Sequence, residues 1–196
     1  MEGAFRVGDR VAIAGAGIAN HAEINSVPRN LAAPIPEGVS DEEACYGTLS
    51  AIALHAVRNL DAKLGETVAV LGLGLVGQIA CQLLGLAGAR AIALDYNEKR
   101  LETARSLGAE LAVNLEDPDV QGKVMSHTAN RGCDGILIAA ATSSNYPFET
   151  AAALARDRAK VCLVGSTGTK FPYAPFMQKE LSILLLSLIH ISEPTR

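Results

Sequence analysis

Three glycines and one acid, spread over residues 72–95, are the residues of this sequence best suited to chemistry. Gly72, Gly74 and Gly77 form a G-x-G-x-x-G motif, and Asp95 follows about 20 residues further on. In such a motif the first glycine permits a tight turn, the second lets the backbone approach a diphosphate, and the third lets a helix pack closely on a strand. A carboxylate at this spacing accepts hydrogen bonds from ribose hydroxyls. The spacing therefore predicts a dinucleotide-binding site.

The elements that must position these residues are visible as hydrophobic patterns. Thr67–Leu71 and Ala91–Leu94 are short apolar runs that predict buried strands, and the second run leads into Asp95. Between them, apolar residues recur at helical spacing. Leu75 and Val76 fall in the first turn of this helix, whose unpaired N–H groups favour an anion such as a diphosphate. Because Asp95 would repel a 2′-phosphate, the sequence predicts NAD rather than NADP.

A glycine-rich turn that binds nothing is the alternative interpretation of this stretch. The motif alone is weak, since glycine supplies 18 of the 196 residues. The strand before it, the helix after it and the acid after the next strand are the context that favours binding.

Composition and charge argue against several classes of partner. The net charge is −4, hydrophobic residues make up 49% of the chain, and no run of Lys or Arg occurs. We therefore expect neither nucleic acid nor an anionic membrane as a partner. No signal peptide is visible at the N-terminus, and the most apolar run, 181–191, is too short to cross a bilayer. The four cysteines form no C-x-x-C pair, which is typical of reduced cysteines in a cytoplasmic protein.

Strand-like and helix-like segments alternate beyond the motif, which predicts parallel strands joined by right-handed crossovers. The predicted fold class is α/β, a doubly wound (Rossmann) sheet of about six strands. The predicted strands are 67–71, 91–94, 111–114, 135–140, 160–164 and 181–186, with helices at 97–107, 120–128 and 148–155 between the later ones. Ligands bind such a sheet at the carboxyl ends of its strands. Gly72 to Val76, Asp95, residues 140–142 and residues 165–167 should therefore surround one cleft.

The first 40 residues have a different character, with much Gly and Pro and few helical signals. Strands are predicted near residues 11–13 and 22–27, too few to close a sheet of their own. Ser40 and Glu43 form a capping box that opens a helix, which we expect to continue through Ala44 towards Val57.

Taken together, these features resemble a known superfamily. Residues 5–11 (FRVGDRV), 21–23 (HAE), 35–40 (IPEGVS) and the glycine loop 72–77 resemble the medium-chain dehydrogenase/reductases, the superfamily of zinc-type alcohol and threonine dehydrogenases. The match runs over about residues 1–185. Residues 139–142 and 179–181 are also similar to a bacterial subgroup fused to a Gfo/Idh/MocA-type half.

The resemblance implies a domain organisation and an activity. Residues 1–45 would be the last part of a GroES-like catalytic domain, and residues 46–186 the NAD-binding domain. The implied reaction is hydride transfer between an alcohol and the nicotinamide of NAD. Arg100 falls where the family often places a basic side chain near the adenine, although a solvated charge is the alternative. Thr142 and Gly165 would lie near the nicotinamide.

The sequence departs from the family where zinc would bind. The first zinc cysteine and the Gly-His-Glu segment of the family are expected before Met1, and a later zinc cysteine would fall near Gly47 or Thr48. Cys45 is interpreted as a packed helix residue rather than a displaced ligand. Catalytic residues therefore stay unassigned and no metal ligand is predicted in this chain, although zinc remains possible in a longer parent protein.

The same residues are compatible with two other functions. The alternatives are a zinc-free reductase of quinones or enoyl substrates and a non-catalytic NAD-binding module. A homodimer is expected through the edge strand, Leu181 to Leu186. Residues 187–196 are similar to translated adapter sequence, so we interpret them as a non-native tail. We interpret the chain as truncated at both ends. We expect such a fragment to bind the cofactor without turnover.

Overall fold

A computed structural model describes residues 5–187 of the chain. These residues divide into two compact units, one ending at Ala51 and the other spanning Ile52–Leu186. Residues 188–196, which make up most of the predicted non-native tail, lie outside the described part. The domain boundary predicted after residue 45 and the GroES-like origin of the first segment stay predictions.

The first unit contains a small two-stranded sheet. Strand β1 (Val11–Ile13) pairs antiparallel with β2 (Ala32–Pro34), and a short 3₁₀ turn (Arg29–Leu31) precedes β2. The strand predicted at residues 22–27 is wrong. The side chain of Asn25 accepts a hydrogen bond from the N–H of Asn20 (2.8 Å) and donates one to the carbonyl of Ala22 (3.2 Å), which folds this segment into a local turn instead.

The predicted capping box is present, but the helix that follows is interrupted. Ser40 Oγ accepts from the N–H of Glu43, whose carboxylate accepts from the N–H of Ser40. Helix α1 (Asp41–Ala44) is followed by its C-cap residue Cys45, and α2 (Gly47–Leu60) begins two residues after that. The N–H of Tyr46 bonds to the carbonyl of Glu43, a tighter turn than an α-helix makes. The predicted single helix is therefore two.

The second unit is the doubly wound sheet that the sequence predicts. Its six strands are β3 (Thr67–Leu71), β4 (Arg90–Asp95), β5 (Leu111–Asn114), β6 (Cys133–Ile138), β7 (Ala155–Leu163) and β8 (Ser182–Leu185). All neighbours pair in parallel, in the order β5-β4-β3-β6-β7-β8. Every residue of β3 is buried, because this strand lies at the centre of the sheet.

Helices follow most of the strands and cover the sheet. They are α3 (Leu75–Leu86), α4 (Glu98–Ser106), α5 (Val120–His127), α6 (Tyr146–Leu154) and the short α7 (Tyr173–Gln178), which the sequence did not predict. Two apolar clusters form the core. Leu71 and Ile138 belong to one of them, and Val70 and Leu137 to the other. Because neighbouring residues of a strand point to opposite faces, the two clusters lie on the two sides of the sheet.

Strand β7 is longer than predicted and begins at Ala155 rather than Lys160. Ala155 of β7 pairs with Cys133 of β6, and after a register shift the pairing resumes between Lys160 of β7 and Gly135 of β6. Charged residues on this stretch hide the strand in the sequence, because Arg156 and Asp157 break the apolar pattern. Across residues 5–187, none of the helices combines the length and apolarity that crossing a bilayer would need.

Candidate functional site

The order of the strands creates a crevice between β3 and β6. The chain leaves β3 towards one side of the sheet and later returns to β6 on its other side, so the loops after these strands diverge. A cavity of about 550 Å³ opens there, a size usual for small-molecule sites. Its lining comes from the ends of β3, β4, β5 and β6, from the loops that follow them and from the starts of α4 and α6. It consists of Leu71, Gly72, Gly74, Asp95, Tyr96, Arg100, Leu115, Ala139, Ala140, Ala141, Thr142, Ser144, Tyr146, Pro147 and Thr150.

Two of the motif glycines are required by close backbone contacts within the protein. Gly72 has φ +92°, and a Cβ there would lie 2.8 Å from the Cα of Ala140. A Cβ on Gly77 would lie 2.0 Å from the carbonyl oxygen of Gly72. Both distances are shorter than any normal contact, so these residues let the loop and α3 pack against the end of β6.

Gly74 differs from these two because the protein leaves room for a side chain. A Cβ at Gly74 would meet nothing within 4 Å, and its φ of −65° is open to any residue. Gly74 is the N-cap of α3 and offers no side chain to bond the N–H groups of the first turn. No side chain caps those N–H groups, and Gly74 lines the cavity, so this helix N-terminus, with the positive end of its dipole, suits a phosphate.

Asp95, at the end of β4, is held in place by the backbone on both of its oxygens. The side chain is 8% exposed, Oδ2 accepts from the N–H of Leu73 at 2.6 Å, and Oδ1 accepts from the N–H of Asn97 at 2.8 Å. A carboxylate has about four acceptor positions, so about two remain. Two remaining positions beside the helix N-terminus match the two hydroxyls of a ribose. The residues present thus fit a dinucleotide.

Arg100 of α4 stands beside this carboxylate. Its Nη1 lies 3.6 Å from Asp95 Oδ2, which is an ion pair rather than a hydrogen bond, and its side chain is 53% exposed. Its carbonyl accepts from Gln78 Nε2 at 2.7 Å, which ties α4 to α3. Arg100 therefore lines the cavity as a half-exposed positive charge beside Asp95.

The wall beyond Asp95 is aromatic and apolar, and sequence reasoning missed it. Tyr96 follows Asp95 directly, Leu115 follows β5, and Tyr146 and Pro147 open α6. Thr150, on the next turn of α6, is buried, and its hydroxyl has no hydrogen-bond partner. Leu115 is one residue past the predicted strand 111–114 and Tyr96 is two residues past the predicted strand 91–94, so counting that far would have found both, whereas the residues of α6 enter only through the tertiary fold.

The predicted site residues fall into two groups. Gly72, Gly74, Asp95, Arg100 and Thr142 all line the cavity. The other four lie next to it without lining it, and they are Leu75, Val76, Gly77 and Gly165.

Gly165 has a clear position behind the cavity wall. A Cβ there would lie 2.0 Å from the carbonyl oxygen of Ala140, so Gly165 lets the loops after β6 and β7 run close together. The N–H of Thr142 donates to the carbonyl of Ser166 across the same gap. Gly165 thus supports the lining residue Ala140 rather than facing the cavity.

The described residues, 5–187, contain no cluster of metal-binding side chains. No group of three or more His, Cys, Asp or Glu in this part of the chain is arranged to hold a metal ion, so these residues do not fit a zinc site. Cys45 is exposed, in contrast to the packed position predicted for it, because α1 ends there and leaves it on the surface. His55 is hydrogen-bonded to Asn59 on the next turn of α2.

The strand order and the position of the glycine loop define the class of protein, a doubly wound α/β domain of the Rossmann type. The sequence profile of the zinc-binding dehydrogenase family matches residues 76–194, more than half of the chain. The chain belongs to this family, within the medium-chain dehydrogenase/reductase superfamily that the sequence resembles.

Known proteins similar to this chain agree with that assignment. An alcohol dehydrogenase of Cupriavidus necator is 36% identical over 116 residues, which cover 58% of this chain and 31% of the relative. The structure of an alcohol dehydrogenase from Thermus sp. ATN1 has a TM-score of 0.73 at 28% identity, over 82% of this chain and 48% of that one. A mycobacterial protein solved with NADPH shares the fold, with a TM-score of 0.84 at 24% identity over 97% and 60% of the two chains. The chain spans about a third of the length of its curated relative.

Proposed function

We propose that this chain binds NAD in the crevice between β3 and β6, as the cofactor-binding part of an NAD-dependent oxidoreductase. In that enzyme, hydride passes between an alcohol, of the polyol, sugar or amino alcohol type, and the nicotinamide ring. The observation that carries the proposal is the anchored carboxylate of Asp95, with acceptor positions to spare, beside the open backbone of Gly74. A diphosphate followed by a ribose needs these two features next to each other.

The preference for NAD over NADP rests on the fixed position of this charge. Two backbone N–H groups hold the carboxylate, so it cannot turn away from a 2′-phosphate. Two like charges about 4 Å apart repel by roughly 4 kcal/mol at the effective dielectric constant near a protein surface. Arg100 and water screen part of this repulsion, because the guanidinium is half exposed. We therefore expect NADH to bind at least about tenfold more tightly than NADPH.

A fluorescence titration with NADH and NADPH tests this preference. The variants are Asp95→Asn, which removes the charge at nearly constant shape, and Asp157→Asn, which makes the same change at an exposed position on β7. The first variant should lose NADH affinity and most of the discrimination, and the second should behave as wild type. Equal affinity of the wild type for NADPH and NADH would contradict the role of Asp95.

Catalysis by this chain alone is a separate question. Among the described residues that line the cavity, none is a histidine, cysteine or lysine, the side chains that often move the proton of a substrate hydroxyl. We therefore expect cofactor binding without turnover from this chain, with Thr142 closest to the nicotinamide end. Assays of alcohol oxidation with NAD, with and without added zinc, test this expectation.

The same assays separate the alternatives. Reduction of a conjugated carbonyl with NADPH would favour the zinc-free reductase and count against the proposal. NADH binding with no turnover fits both the cofactor-binding part of a dehydrogenase and a non-catalytic NAD-binding module. Joining the chain to the catalytic segment of a relative would then decide between the two. Restored alcohol oxidation would favour the dehydrogenase.

Pairing of two copies through β8 is a further part of the proposal. β8 is an edge strand of the sheet, and Leu185 is 73% exposed on it. Leu185→Lys should shift the chain to monomer in light-scattering measurements, because a charge on an edge strand opposes pairing. Leu86→Lys, at an exposed leucine of α3, is the control. A monomeric wild type would rule out this pairing.

A further inference from the structure

A histidine, an arginine and a glutamate from three different elements meet at the end of the sheet opposite the cavity. His127 is the last residue of α5, Arg90 is the first residue of β4, and Glu110 directly precedes β5. Arg90 Nε donates to Glu110 Oε2 at 2.7 Å. His127 Nε2 lies 3.2 Å from Arg90 Nη2 and 3.2 Å from Glu110 Oε2. The cluster therefore joins the end of α5 to the starts of two neighbouring strands.

The proton on Nε2 of His127 decides which of the two partners this nitrogen binds. A guanidinium only donates hydrogen bonds, and a carboxylate only accepts them. A neutral ring with its lone pair on Nε2 can accept from Arg90, whereas an imidazolium can donate to Glu110. Oε2 of Glu110 already accepts from Arg90 Nε, but within residues 5–187 Arg90 Nη2 bonds no acceptor other than His127. We therefore expect the neutral ring to accept from Arg90.

Glu110 keeps its negative charge over the pH range in which histidine titrates. Burial alone would raise the pKa of Glu110, but hydrogen bonds from Arg90 and His127 outweigh it and lower the pKa. The carboxylate is therefore ready to accept a hydrogen bond at pH 5 as well as at pH 8. Of the three side-chain types in the cluster, only histidine changes its charge between about pH 5 and 8.

The other charges near His127 lie on its own helix. Asp119 and Lys123 share with it a shallow cavity of about 380 Å³. Lys123 forms an ion pair with Asp117 rather than with the histidine, and Asp119 is the N-cap residue at the opposite end of α5. The C-terminal end of a helix favours a positive charge, as Glu110 does. Arg90 opposes that charge, so the two partners of His127 favour different protonation states.

We propose that His127 is a pH-compensating clasp, a side chain that holds the end of α5 to the sheet in both protonation states by exchanging Arg90 for Glu110. The neutral ring carries its proton on Nδ1 and binds Arg90. A second proton, taken from solvent onto Nε2, turns this acceptor into a donor to Glu110. The side chain is 24% exposed, so solvent reaches it. The attachment moves from β4 to the start of β5 and is not lost, and it does not depend on the cofactor.

Nuclear magnetic resonance of the imidazole nitrogens reads the two states directly. The chain has four histidines, and His127→Gln identifies the signals of this one. At about pH 8 the neutral ring should carry its proton on Nδ1, and at about pH 5 both nitrogens should be protonated. A neutral ring with its proton on Nε2 would overturn the partner exchange, because such a ring cannot accept from Arg90.

Double-mutant cycles in urea show which partner is bound at each pH. The cycles combine His127→Ala with Arg90→Ala and, separately, with Glu110→Ala. At about pH 8 the coupling of His127 to Arg90 should change the unfolding constant about two- to fivefold, as expected for a contact between partly exposed groups. At about pH 5 this coupling should vanish or change sign, because both groups are then cations. The coupling of His127 to Glu110 should be strong at the lower pH and weak at the higher one.

The control is the cycle of Arg105→Ala with Glu98→Ala. This pair has a similar exposure and a contact of 2.9 Å but no histidine. Its coupling should be equal at the two pH values, because the hydrogen bond from Arg105 lowers the pKa of Glu98 and keeps it charged. If both couplings of His127 are as constant with pH as the control, or if either is absent at both pH values, the clasp is wrong. Circular dichroism checks that each variant is folded, and the spectrum of the wild type decides where a variant is not.

Discussion

Two glycines of the motif can be separated by experiment, because the fold requires one and the ligand requires the other. Gly77→Ala puts a methyl group 2.0 Å from the carbonyl oxygen of Gly72. Gly74→Ala puts one where no protein atom lies within 4 Å, in a residue that lines the cavity. The first change should therefore lower stability, and the second should lower affinity for the dinucleotide.

The magnitudes follow from these contacts. For Gly77→Ala, α3 must retreat by at least about 1 Å to restore a contact of 3.0 Å. Overpacking against rigid backbone costs about 3 kcal/mol, which lowers Tm by roughly 6–12 °C in a chain of this size. For Gly74→Ala, the loss of a preferred N-cap residue costs at most about 1 kcal/mol. A methyl group in the path of the diphosphate should raise the Kd for NADH about 10- to 100-fold.

Thermal unfolding and NADH titration of the same variants check both halves of this prediction. Gly85→Ala is the matched control, because Gly85 lies on the same helix, is exposed and has open space around it. It should raise the free energy of unfolding by up to about 1 kcal/mol and leave the Kd unchanged.

Two results would refute the reasoning. If Gly74→Ala binds NADH like the wild type, no diphosphate packs on the start of α3. If Gly77→Ala is as stable as the control, the close approach of α3 to the glycine loop is not what requires this glycine.

The remaining predictions concern reactivity, pH and packing. Cys45 alone should react with a thiol reagent at neutral pH, because burial raises the pKa of the other thiols to about 12, 12 and 11 in Cys81, Cys133 and Cys162. Burial alone would raise the pKa of Asp134, but hydrogen bonds from Arg156 and Thr67 outweigh it and lower the pKa. Asp134→Asn should cost about 1–3 kcal/mol in urea unfolding at pH 7, and the difference should shrink as the pH falls from about 4, the pKa of an unfolded aspartate, through the lower pKa of the folded carboxylate. Gly165→Ala should lower Tm by several degrees, about as much as Gly77→Ala, since its Cβ would meet the carbonyl of Ala140 at 2.0 Å.

The order of elements in the second unit could be predicted because its strands are short buried runs separated by charged helices. The prediction was wrong where local bonds or charges override the apolar pattern. The side-chain bonds of Asn25 remove an expected strand, the tight turn at Tyr46 breaks an expected helix, and the charges at Arg156 and Asp157 conceal the start of β7.

The candidate site was predictable where it depends on the ends of strands. Gly72, Asp95 and Thr142 follow from the rule that ligands bind at the carboxyl ends of parallel strands. Tyr146 could not be found in that way, because it starts a helix and reaches the cavity only through the path of the loop after β6. No short sequence pattern encodes that path.

The glycine motif is a weak signal alone because most of it serves the fold. Gly72 and Gly77 are explained by backbone contacts to Ala140 and to each other, and a protein that bound nothing would need them equally. Among the three motif glycines only Gly74 has no such explanation, and the buried carboxylate of Asp95 keeps acceptor positions that its two backbone partners do not use. Gly74 and Asp95 are therefore the two residues that favour a dinucleotide, and they lie close together because the N–H of Leu73 joins the glycine loop to the carboxylate.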